Sequence, residues 1–159
     1  MTNRTALIWI LGGLAAMLAI GRRKGNAPAV RGICGTDKTG REAVKYLLKM
    51  KGGECPAAFH RNDVGDIDLI WGEVTDPVKH KGYGLAHIID KHGTEFHYGN
   101  SRIRIEDFLP IVIMNGRKYY ETPYKAKFKG EGYKFVLAKK SPGRTDDKIW
   151  LLTAFELEE

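Results

Sequence analysis

His87 and His92 stand five residues apart in the run GLAHIIDKH, residues 84–92. Imidazole is the side chain best suited to carrying protons at neutral pH. At about 100° per helical residue, His87 and Lys91 fall roughly 40° apart on one face, whereas His92 lies roughly 140° from His87. A regular helix cannot turn both rings toward one reacting group. Either the helix ends between them, with Gly93 turning the chain back, or one of the two does the chemistry. The plainer role for either is a partly buried histidine satisfied by a backbone carbonyl.

The cations that would accompany them are concentrated downstream. The chain has 26 Lys and Arg against 19 Asp and Glu, a net charge of +7. Residues 116–144 alone carry Arg117, Lys118, Lys125, Lys127, Lys129, Lys134, Lys139, Lys140 and Arg144 against Glu121 and Glu131, which accounts for that whole excess. Tyr119, Tyr120, Tyr124 and Tyr133 are interleaved with them, and Tyr98 is close by. A basic balance favours polyanions or anionic lipid headgroups. Lysines interleaved with aromatic rings suit a phosphate-facing surface, and a solvated strand face is the competing explanation. Lys139 and Lys140 close a strand, so alternation turns one of them to its face; Lys127, Arg117 and Tyr124 are further binding candidates.

Other pairings are weaker. Asp66 and Asp68 share one strand face, as metal-ligating carboxylates would, while Ile67 and Leu69 fill the other. Cys34 and Cys55 form no CxxC pair, and with five scattered histidines they give no zinc pattern. Two lone cysteines fit a reducing compartment, with a single disulfide the alternative. The sequence calls for no metal and no cofactor.

The positioning elements follow from periodicity. Asp37–Met50 reads as an amphipathic helix closed by Gly52-Gly53. Residues 57–60 and 66–71 read as short strands, with Phe59, Ile70 and Trp71 as core, and Asp76-Pro77 as a turn. Residues 84–92 and 103–115 read as helices, with Pro110 expected to start, bend or split the second. Residues 118–124, 133–139 and 149–157 read as strands. In the last, simple alternation puts Leu151 and Thr153 on one face and Trp150, Leu152 and Ala154 on the other. Helices followed by strands on short turns make an α+β domain with a mainly antiparallel sheet. At 159 residues, with 43% hydrophobic content, the chain holds one domain with a real core.

That domain spans residues 31–159. Before it, Ala6–Ile20 is free of charge and flanked by Arg4 and by Arg22-Arg23-Lys24. As a helix this run covers about 23 Å, less than the ~30 Å of a bilayer core. A short membrane anchor through residues 5–21 with a cytoplasmic domain, a cleaved signal segment and a buried helix all fit residues 1–30.

In combination, GDIDLIWG (65–72) and GLAHIIDKH (84–92), with the closing strand IWLLTAFELEE, are similar to the phage barnase–EndoU–colicin–RelE-like endoribonucleases. The resemblance covers roughly Gly35 to Glu159. It implies a barnase-like fold, N-terminal helices packed on a curved antiparallel sheet whose face binds RNA, here preceded by a short hydrophobic helix. It also implies metal-independent cleavage by the 2′-hydroxyl, in a toxin or phage effector delivered to its target. In that setting His87 and His92 become base and acid, Thr153 a hydrogen-bond donor to the phosphate, and Lys139 or Lys140 the charge partner. RNA, with transfer RNA among the candidates, and a cognate immunity protein are the implied partners. A non-catalytic RNA-binding module and a membrane-tethered cationic interaction protein are the alternatives.

Overall fold

A computed structural model describes Cys34 and residues 37–139 and 147–157. Residues 1–30, with the anchor, signal and buried-helix readings, and Lys140 lie outside the described residues. The first element is helix α1, Gly40–Met50, which buries Ala43, Val44 and Leu47 along one stripe. Thr39 precedes it in extended conformation, and Lys51 closes it in the left-handed region (φ 50°), its N–H donating to the Leu47 carbonyl at 2.8 Å.

Strands β1 (Glu54–Arg61) and β2 (Gly65–Ile70) form an antiparallel hairpin with a bulge between Cys55 and Phe59. Ala57 sits in that bulge at φ 49°, and its N–H donates to Asp68 Oδ1 at 2.8 Å. Asp68 thus satisfies a backbone donor that the irregular strand would otherwise leave unpaired. Cys34 and Cys55 are joined in a disulfide, with Cα atoms 4.9 Å apart. Of the two states the sequence left open, the structure has the bridged one.

A short hairpin, β3 (Glu73–Asp76) and β4 (Lys81–Tyr83), leads into helix α2, Gly84–His92. Two glycines fix this junction. A Cβ on Gly72 would come within 2.0 Å of the Tyr83 carbonyl oxygen, and one on Gly84 within 2.8 Å of the Trp71 carbonyl oxygen. Both glycines have positive φ, 73° and 77°. Only bare backbone fits this crossing, which lets the Ala86 N–H donate to Trp71 O at 2.8 Å and seats α2 on the end of β2.

A second hairpin, β5 (Glu95–Tyr98) and β6 (Ser101–Arg104), precedes helix α3, Ile105–Asn115. The helix is therefore two residues shorter at its start than the sequence predicted. It runs on through Pro110 without splitting, because six of its residues, Phe108, Leu109, Val112 and Ile113 among them, are buried and packing outweighs one lost backbone bond.

The remaining strands are β7 (Arg117–Glu121), β8 (Lys125–Gly130), β9 (Tyr133–Ala138) and β10 (Ile149–Glu156). The main sheet has the order β1-β2-β10-β9-β8-β7. All its pairings are antiparallel except β2 with β10, which run parallel. One face carries the core: Leu137, Phe135, Phe128, Ala126, Leu151 and Ala154 are buried there, and Phe128 and Phe135 stack with centroids 4.6 Å apart. With three helices and a large sheet, the described residues form a mixed α+β fold.

Candidate active site and nucleic-acid face

The cationic face follows from strand register. Ala126, Phe128, Phe135 and Leu137 point into the core, so Lys125, Lys127, Lys129, Lys134 and Val136 point out of the other side. On β7, Tyr120 stands opposite Lys127, whose ammonium lies 5.0 Å from its ring centroid. Lys129 and Lys134 approach the Tyr119 ring at 5.4 and 6.0 Å. Tyr119 and Tyr120 remain about half exposed and Tyr124, on the β7–β8 turn, is 67% exposed. Tyr133, by contrast, is buried in the core.

Thr153 joins this face through an irregularity that simple alternation could not anticipate. The β9–β10 register shifts between Leu151 and Thr153, so Leu151 pairs with Leu137, Thr153 with Val136 and Ala154 with Phe135. Leu151 and Ala154 both face the core and Thr153 faces the opposite way. The expected sharing of one face by Leu151 and Thr153 is thereby overturned: a one-residue bulge at Leu152 resets the phase of the strand. Lys127, Val136 and Thr153 form one row across three strands. At about 4.8 Å per strand, Lys127 and Thr153 start roughly 10 Å apart, within reach of one phosphate for a long lysine.

Helix α2 packs along β10. It continues to His92, and Gly93 caps it with its N–H on the Ile89 carbonyl at 2.8 Å. His92 is thus the last helical residue and does not lie beyond the helix, so the two rings leave it in different directions. His92 stacks on Phe155, centroids 5.7 Å apart and planes 15° from parallel. His87 is 8% exposed. Neither His87 Nδ1 nor His92 Nε2 has a hydrogen-bond partner, although both atoms are buried. Burial pushes the pKa of each below its ordinary value, and the charge of Lys91 adds to the effect. Burial thus favours the uncharged form of both rings, and each has a nitrogen that meets no protein group.

Beside them lies a pair that sequence reasoning missed. His80, on the turn between β3 and β4, holds Asp90 of α2 through Nδ1 to Oδ2 at 2.9 Å. Its backbone is left-handed (φ 47°), a state uncommon outside glycine though one that histidine adopts more readily than most. Nothing in residue spacing relates position 80 to position 90; only the hairpin folding back on the helix does.

The other sequence candidates separate. Lys139 follows β9, and its ammonium is engaged by Glu121, which also accepts from Lys118 at 2.7 Å. These two bonds hold the Glu121 carboxyl below its ordinary pKa. Lys139 is thus committed at the β7 end and stands outside the Lys127–Thr153 row. Arg117 faces Lys129 at the sheet edge and is exposed. Asp68 is taken by Ala57, and Asp66 by His60 Nδ1 at 2.7 Å. Among the described residues no three His, Cys, Asp or Glu side chains converge as a metal would require. Tyr83 meets Trp150 edge-on at 5.6 Å in a small apolar cluster with Ile70 and Ala138, away from solvent stacking. Phe59 is buried and Trp71 is half-buried against the core.

A helix bearing two histidines with unpartnered ring nitrogens packs on β10, the strand that adds Thr153 to the lysine- and tyrosine-rich sheet face. The family model described as phage-Barnase-EndoU-ColicinE5/D-RelE like nuclease 1 matches residues 58–159, well over half of the chain. The chain belongs to this nuclease family. The matched region holds α2, both histidines and the whole basic face, whereas α1 precedes it yet packs on α3. No curated protein and no solved structure matches the chain. No helix among the described residues is long and apolar enough to cross a membrane.

Proposed function

We propose that this nuclease is a metal-independent endoribonuclease of the toxin or phage-effector type. The observation that carries the reading is His87, a buried histidine inside the family segment whose Nδ1 meets no protein group. Buried polar atoms are nearly always paired, so this orphan marks a group held for something other than packing, which substrate binding would have to uncover. His87 takes the proton of an RNA 2′-hydroxyl. The oxygen attacks the adjacent phosphorus, the bond to the 5′-oxygen breaks, and that oxygen leaves with a proton. The products are a 2′,3′-cyclic phosphate and a 5′-hydroxyl. Lys127, and His92 in the fraction that carries a proton, are the two groups offered for the second proton. Thr153 and Lys127, in one row and each one strand from Val136, would hold the phosphoryl oxygens. Lys129, Lys134, Tyr119, Tyr120 and Tyr124 extend the face for flanking nucleotides.

The test is incubation of the full chain with bulk transfer RNA in EDTA between pH 5 and 9. Fragments ending in 2′,3′-cyclic phosphate are the expected result, and intact RNA throughout that range would refute the reading. Tight, salt-sensitive binding without cleavage would indicate an RNA-binding module instead. A free nuclease of this kind would also need an immunity protein, and the hydrophobic run at residues 5–21 would supply membrane contact during delivery.

A further inference from the structure

An open pocket of about 1250 Å³ lies between the tip of the β5–β6 hairpin and the β8–β9 turn. It exceeds the roughly 300–1,000 Å³ common for ligand sites, so it has room for more than a single base. Tyr98, Asn100, Asn115, Arg117 and Lys129 line it. Two neighbours tie it to the candidate site. Glu156 lines the pocket and holds His97 Nδ1 at 3.1 Å, and the residue before it, Phe155, carries the stack on His92. At the other side Lys129 belongs to the lysine–tyrosine face.

We infer that this pocket is a nucleotide subsite, binding one base of a single-stranded RNA and its phosphate beside the cleaved bond. The inference rests on the endoribonuclease reading for its place in the reaction. The chemistry is on the walls. Tyr98 is 37% exposed, so its ring offers a surface on which a base can stack. Asn115 spends its amide N–H on the Ile111 carbonyl at 2.8 Å, leaving its oxygen to accept from a base edge. Asn100, exposed at the hairpin tip, has both a donor and an acceptor to offer. Arg117 is exposed and has no ion-pair partner among the described residues, so it is available to a phosphate. A tyrosine platform, two amides and two cations around one hollow are the parts that base and phosphate recognition needs.

Titration of the full chain with each of the four nucleoside 5′-monophosphates, read by calorimetry, tests this. Millimolar or tighter binding of at least one is expected, weakened about tenfold or more in Tyr98→Ala. Arg117→Ala should weaken the monophosphate and leave the matching nucleoside unchanged. Asn100→Ala, at an exposed tip, should change which base is preferred without altering the melt. Absence of binding by all four, or equal affinity in wild type and Tyr98→Ala, would overturn the subsite. The two readings fail separately. RNA cleavage without mononucleotide binding removes only the subsite, and binding through Tyr98 without cleavage removes only the catalytic reading.

Discussion

The His92 ring lies nearly parallel to Phe155, 15° between planes and 5.7 Å between centroids, and so ties the end of α2 to the strand that carries Thr153. This contact separates packing from proton transfer at one residue. An aromatic pair contributes about 0.5–1.5 kcal/mol beyond its area. His92→Phe should keep the melting temperature within a degree or two of wild type, whereas His92→Ala should lower it. If His92 supplies the second proton, both variants lose cleavage alike. Equal activity in His92→Phe and wild type would assign that proton to Lys127.

His87 makes no such contact. His87→Gln should cost about 10²–10⁴-fold in cleavage rate, the usual contribution of a general base. The cost in stability should be small, since no hydrogen bond is lost from the ring. A large drop in the melt with little change in rate would mean that the ring is only filler.

Acid should destabilise the protein through these same residues. Burial lowers both histidine pKa values from 6.5, so the folded chain resists protons that the unfolded chain accepts. Stability is full above pH 6.5 and is lost as pH falls toward the lowered folded values. Melts recorded from pH 7.5 to 5 should decline through this window, and less steeply in His92→Phe. A flat profile would show that the imidazoles titrate alike in both states.

Lys127 shares its row with Thr153 and its charge with Tyr120. Lys127→Ala should weaken RNA binding uniformly across sequences and reduce the slope of log affinity against log salt by about one. Lys139→Ala should change this slope less, because Glu121 already engages that ammonium. Equal slopes in the two variants would contradict the distinction between them.

The bridge between Cys34 and Cys55 closes 21 residues of sequence. Loops of this size contribute about 3 kcal/mol when cross-linked, so dithiothreitol should lower the melting temperature by several degrees. Cys34→Ser should match the reduced protein and show no further response to reductant.

Most of the architecture was legible in the sequence, and the exceptions have physical causes. Ala43, Val44 and Leu47 announce α1 by period, and the strands after Gly116 by their aromatic and β-branched content. The glycines of GDIDLIWG and GYGLAH carry signal because Gly72 and Gly84 cross backbone to backbone, where a Cβ would clash. Strand β8 was missed although KAKFK alternates perfectly; its inward residues are only Ala126 and Phe128, and its lysines read as charge before structure. The β3–β4 and β5–β6 hairpins are too short for periodicity to register. His80 with Asp90, and His97 with Glu156, are pairs made by folding alone. Of the proposed site, His87, His92, Thr153 and Lys127 could be named from sequence; their division between helix face, strand row and pocket could not.

The bulge at Leu152 has a consequence for how this strand can change. Leu151 and Ala154 face inward on either side of it, with Thr153 outward between them and Leu152 as the supernumerary residue. Deleting Leu152 leaves an unbroken alternation of inward, outward, inward, with every remaining side chain on its present face. Deleting Thr153 instead puts Leu152 in the outward place and empties the row of its hydroxyl while the core stays intact. Chain length at this one point is therefore separable from the fold, so the strand can lose its polar group by a single excision and remain a sheet.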